Sequence, residues 1–288
     1  ASTTLGPCDP LVTVNCMLPF PNNFYTQSDA STETGLRLRV TNNTFPISDS
    51  GETINGTEWN QLDGFSPLPA ITSYFPNLSL DNVPTHQNIA ASLDSNCPTV
   101  LLDTVTLELL PHWGELDETT ALTTERAFMM WPTKRLEGGR RYIVAMRNLL
   151  SSTSGLPIEP SAAFLSLRDN TTSTDPSIFL RRNHFNEEIF PLLESAGIAR
   201  DSLQLAWDFT VGSTKSITGR LIHMRDDGLA RLPNGSPIYY VTSVEDEPDQ
   251  YVARTIRGEM EVPYYTEHPG PNTHLVLGSD GLPQFQGW

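Results

Sequence analysis

Hydrophobic positions along this chain recur mainly at a spacing of two and in short runs. Leu36-Arg37-Leu38-Arg39-Val40 alternates apolar and basic side chains, the pattern of a half-buried strand. Strand text recurs at Val100-Leu101-Leu102, from Val105 to Leu110, from Ala127 to Trp131 and from Tyr142 to Met146. The turn Glu137-Gly138-Gly139 lies between the last two, so they are expected to pair as an antiparallel hairpin. From Leu203 to Val211 the alternation puts Leu203, Leu205, Trp207, Phe209 and Val211 on one core face.

Two helices flank that strand. Asp175-Pro176 reads as an N-cap followed by proline at the first helical position; Phe185, Ile189, Leu192, Leu193 and Ala196 form the apolar stripe, and Gly197 ends it. Pro191 should kink or divide this helix. The second helix starts from a cap near Ser213, runs through Ile217, Leu221 and Met224, and closes between Gly228 and Pro233. Strand text returns from Ile238 to Val241 and from Val252 to Val262, and the Pro/Gly-rich tail to Trp288 reads as a linker.

Charge narrows the classes of partner. The chain has 288 residues, with 34 acidic against 18 basic side chains and a net charge of -16, which repels phosphate backbones and anionic lipid. Nucleic acid is excluded as a partner on this ground. No run of eighteen apolar residues predicts a membrane span. The acidity reads first as solvated surface and second as calcium binding, at Met224-Arg225-Asp226-Asp227 or Val244-Glu245-Asp246-Glu247. Neither segment has the alternating ligands of an EF-hand loop, and no cofactor is expected.

Several features point to the secretory pathway. The chain opens Ala1-Ser2-Thr3 without Met or an apolar leader, as a processed secreted product does. Sequons start at Asn42, Asn55, Asn77, Asn170 and Asn234, all in polar stretches that read as surface loops carrying glycans. Of three cysteines, Cys8 and Cys16 bracket a Pro-containing loop and are expected to form a disulfide; Cys97 reads first as a small buried hydrophobe with a free thiol, and second as an intermolecular link.

Candidate chemistry is sparse. A serine hydrolase of the α/β type needs a Gly-x-Ser-x-Gly elbow, and the chain has none. Ser213, after a strand and before a helix, has elbow-like topology but is better read as a helix cap. His112, Glu115 and Asp117 gather an imidazole and two carboxylates within six residues, a candidate metal or acid/base site whose spacing matches no zinc pattern. The bland reading is a strand-end turn whose polar groups satisfy local backbone. Arg140-Arg141 and Arg181-Arg182 read as surface pairs.

Four phrases together resemble a known family: Cys8-Asp9-Pro10 through Cys16 to Leu18-Pro19-Phe20-Pro21-Asn22-Asn23-Phe24, Leu62-Asp63-Gly64-Phe65-Ser66-Pro67, Pro111-His112-Trp113-Gly114-Glu115-Leu116-Asp117, and Arg141 to Arg147. They are similar to the N-terminal region of secreted lipase-like α/β-hydrolases of the bacterial virulence-factor lipase type. Ala163 to Asp169, Leu205 to Thr210 and Met224 to Asp227 continue the similarity in the same order. The resemblance implies an immunoglobulin-like β-sandwich ahead of a hydrolase domain, and carries over no catalytic residue. The sequons suggest a eukaryotic version of this type.

The expected fold is therefore mainly β: an immunoglobulin-like sandwich with inserted helices and a smaller β-rich lobe. Residues 1–97 form a β/loop segment packing on the sandwich, 98–212 the sandwich with a helical insertion at 175–200, and 213–288 a helix, a β-rich segment and the tail. The expected function is that of a non-catalytic accessory region in attachment or positioning, with a downstream hydrolase domain or self-association as partner. The alternatives are a subunit of an extracellular fibre assembling through strand edges, and a serine ester hydrolase.

Overall fold

The computed structural model describes residues 6–288 except 46 and 49; the Ala1-Ser2-Thr3 opening lies outside them. The protein is mainly β, with 26% strand and 23% helix in several small antiparallel sheets. It divides into two compact units, Ala1–Ser213 and Thr214–Trp288.

The first unit contains β1 (Thr26–Ser28), β2 (Leu36–Leu38), β3 (Ile71–Ser73), β4 (Thr99–Asp103), β5 (His112–Leu116), β6 (Phe128–Pro132), β7 (Arg141–Arg147) and β8 (Leu203–Thr210). Its helices are α1 (Ala162–Arg168), α2 (Pro176–His184) and α3 (Phe190–Ser195). β1 pairs with β2, and two three-stranded antiparallel sheets run in the orders β3-β6-β5 and β4-β7-β8.

Those orders correct the expected hairpin. β6 and β7 are neighbours in sequence, yet β6 pairs with β3 and β5 while β7 pairs with β4 and β8. The connection crosses between sheets because Leu136 is buried, its amide donating to Pro67 O at 2.8 Å, and Gly139 donates to Val211 O at 3.0 Å. The tight turn still forms, Arg140 N donating to Glu137 O at 3.3 Å, but it leads the chain into the second sheet rather than back along β6. A second correction concerns Val105 to Leu110. The Asp103 carboxylate accepts from the amides of Val105 and Thr106 at 2.9 and 3.2 Å, and Leu107 has φ of 58°, so the segment is a turn; only Leu109 bridges Leu102.

β8 is buried along its whole length, on both faces. One face carries Leu203, Leu205, Trp207 and Phe209 as expected; the other carries polar groups that find partners inside. Gln204 accepts from Leu149 N at 2.6 Å and donates to the carbonyls of Leu149 and Ile158. Trp207 donates its indole N–H to Pro21 O at 2.7 Å.

Asp175 caps α2 by accepting from Ser177 N at 2.8 Å, with Pro176 opening the helix. The helical run passes through a π turn, Phe185–Ile189, just before Pro191, which lacks an amide hydrogen and crowds the carbonyl four residues back. Gly197, with φ of 80°, ends it.

The second unit has α4 (Thr214–Ala230) and the hairpin strands β9 (Tyr239–Asp249) and β10 (Val252–Met260). The tail read as a linker is folded here. Tyr264 and Gly287 bridge, as do Thr266 with Leu275 and Leu277 with Pro283. Tyr265 is buried and donates its hydroxyl to Asp227 at 2.8 Å, and the Phe285 ring meets Tyr265, Trp288 and the Arg231 guanidinium. These aromatic contacts bind a tail whose Pro and Gly content disguised it.

Candidate interaction surface

The residues singled out in the sequence do not converge. His112 is buried in β5: its Nε2 lies 2.9 Å from Thr99 Oγ1, its Nδ1 2.8 Å from Leu110 O, and its amide donates to Ser92 Oγ at 3.1 Å. Burial lowers its pKa to about 4, so the imidazole is neutral at pH 7. Strand alternation turns Glu115 to the opposite face, where it accepts from the Trp131 indole at 2.9 Å. Asp117 accepts from Thr119 N at 2.9 Å, and that bond lowers its pKa. Among the described residues no group of three His, Cys, Asp or Glu is placed to hold a metal ion.

Ser213 is buried immediately before α4, and its amide donates to Asp63 Oδ1 at 2.9 Å. Cys8 and Cys16 form a disulfide. Cys97 is buried beside Thr99, and burial raises its thiol pKa. Asn42, Asn55, Asn170 and Asn234 are exposed and Asn77 is half-buried. Asn77, Asn170 and Asn234 have positive φ, the turn conformation asparagine tolerates.

The acidic clusters are engaged with other groups. Asp226 pairs with Arg225, while Asp227 accepts from Arg231 at 2.8 Å and from Tyr265. Asp246 lies in β9 and pairs with Arg254 of β10. The expected surface pairs of arginine divide differently. Arg181 is buried against Asp9, and Arg141 spans Asp208 at 3.1 Å and Glu188 at 2.8 Å.

Asp208 centres a polar cluster that sequence reasoning missed. It accepts from His184 Nε2 at 3.0 Å as well as from Arg141. Burial pushes its carboxyl pKa up, but His184 and Arg141 outweigh burial and hold it below the usual range. An aspartate inside an apolar strand was the available signal. The cluster joins β7, β8 and the end of α2, with Arg141 bridging the two carboxylates.

The surface that stands out is the β9–β10 ribbon. Every residue of β9 is exposed, as is all of β10 apart from half-buried Thr255. Tyr239 opposes Met260, Val241 opposes Gly258, Val244 opposes Ile256 and Asp246 opposes Arg254. Directly opposed residues share a face, so these pairs form one side of the ribbon. The other side carries Tyr240 with Glu259, Ser243 with Arg257 and Glu245 with Thr255.

Strict alternation would put Val241 and Val244 on opposite faces. A bulge between the Val241–Gly258 and Ser243–Arg257 pairs shifts the register by one residue and brings both valines to the same side. Gly258 makes this close approach feasible: a Cβ there would lie 2.5 Å from Tyr240 O. The outcome is an amphipathic ribbon with an uncovered apolar face. α4 is similarly open, with Gly228 its only buried residue and Leu221 and Leu229 exposed.

No protein-family model matches the chain, and no curated protein matches it. Among the described residues no helix is long and apolar enough to cross a membrane.

Proposed function

We propose that this chain is a non-catalytic interaction region of a secreted, glycosylated, hydrolase-like protein, acting in attachment or positioning. The apolar face of the β9–β10 ribbon carries this reading: exposed apolar surface of this size marks a contact with another protein surface. The immunoglobulin-like sandwich belongs to the same reading, supported by two three-stranded antiparallel sheets in the first unit. The disulfide and the exposed sequons at Asn42, Asn55, Asn170 and Asn234 agree with an oxidising, glycosylating route.

Burial of Ser213 and of neutral His112 speaks for binding over ester hydrolysis. The test is incubation of the purified chain with a fluorophosphonate probe and a p-nitrophenyl ester. Neither labelling nor turnover is expected. Labelling at a serine that Ser213→Ala abolishes would replace the interaction reading with the hydrolase one.

A further inference from the structure

We infer that the ribbon face formed by Tyr239, Val241, Val244, Ile256 and Met260 is the surface through which two copies of this chain pair face to face about a two-fold axis. This inference rests on the interaction reading above and names its partner.

Area is the first reason. The five side chains belong to residues between 52% and 64% exposed. They present about 500 Å² per copy, hence about 1,000 Å² in a pair, the lower limit for a specific interface. Two such faces stack at about 10 Å with side chains interdigitating, as sheets do in a sandwich.

Charge is the second. Two chains of -16 repel each other, so they approach best where the facing surfaces carry no net charge. On this face Asp246 and Arg254 neutralise each other, and Asp249, opposite Val252 at the hairpin tip, is turned onto the amides of Tyr251 and Val252. The opposite face carries Glu245, Glu259 and Arg257, and stacking it on its own copy would set unpaired carboxylates together.

Geometry separates this closed pair from a fibre grown edge to edge. Adding ribbons along their hydrogen-bonding edges advances each copy by two strand spacings, about 10 Å. A 75-residue unit has a radius of gyration of about 11 Å and cannot repeat at that interval. Edge addition would also leave the apolar face uncovered. Face-to-face pairing closes after two copies and covers it.

Sedimentation velocity of the unmodified chain, from about 1 to about 200 µM, tests this directly, since an interface at this size limit dissociates in the micromolar range. A species of twice the 31.9 kDa chain mass should grow with concentration. It should persist or increase between about 0.05 M and about 0.5 M salt, as screening removes the repulsion. Ile256→Asp should cut association at least tenfold, and Ser243→Asp, on the opposite face, should leave it unchanged. A monomer throughout, or equal loss in both variants, overturns the pairing. A monomer that also lacks serine labelling leaves the interaction reading standing, whereas labelling removes that reading whatever the sedimentation result.

Discussion

Arg181 donates to Asp9 at 2.8 Å across 172 positions of sequence, with its guanidinium between the rings of Phe24 and Phe185 at 5.1 and 5.2 Å from their centroids. Asp9 is fully buried, and its second oxygen accepts from Asn22 at 2.7 Å. The pair fastens the disulfide loop to α2. Arg181→Leu leaves the carboxylate buried without its cation and should cost about 3 to 5 kcal/mol. Removing both charges together, in Asp9→Leu with Arg181→Leu, should cost less than the sum of the single changes. A double-mutant cycle by urea unfolding checks this.

His112 should make stability depend on pH. Its pKa is about 4 when folded against 6.5 when exposed, so between those values the unfolded chain binds a proton that the folded chain refuses. Stability is complete above pH 6.5 and falls by about 3 kcal/mol as pH drops toward 4. Urea midpoints at neutral and acid pH measure the loss, and His112→Gln should flatten this part of the profile.

The Cys8–Cys16 bond closes a short loop that contains Asp9. Its removal by Cys8→Ala with Cys16→Ala should lower stability by about 2 to 3 kcal/mol through the entropy returned to the unfolded chain. Ellman's reagent should leave the native protein unlabelled and label one thiol, Cys97, in denaturant without reductant.

Gly64 allows two backbone segments to touch. A Cβ at that position would lie 2.5 Å from Gly212 N and 2.8 Å from Thr210 O. Phe65 bonds both Thr210 O and Gly212 N at 2.9 Å, so neither strand can withdraw without losing a bond. Gly64→Ala should destabilise by about 3 kcal/mol, read as a lowered midpoint in thermal unfolding.

Local chemistry was legible in the sequence. The cap at Asp175, the disrupted helix before Pro191, the stop at Gly197, the disulfide and the apolar side of β8 depend on neighbours a few residues away. The same holds for the mainly β character, which follows from period-two alternation. Propensity and spacing act over that range, so reading along the chain finds them.

Partnership was decided only in three dimensions. β6 and β7 meet the hairpin rule and the turn between them forms, yet they enter different sheets because buried Leu136 bonds Pro67 and Gly139 bonds Val211, both distant in sequence. Arg181, one of two adjacent arginines with a surface appearance, is buried because Asp9 and two aromatic rings come from elsewhere in the chain. Val241 and Val244 share a face because one bulge offsets the register, a choice set by which strand lies opposite. Each of these outcomes depends on which distant surface a residue meets, and that is settled by the burial of the whole chain.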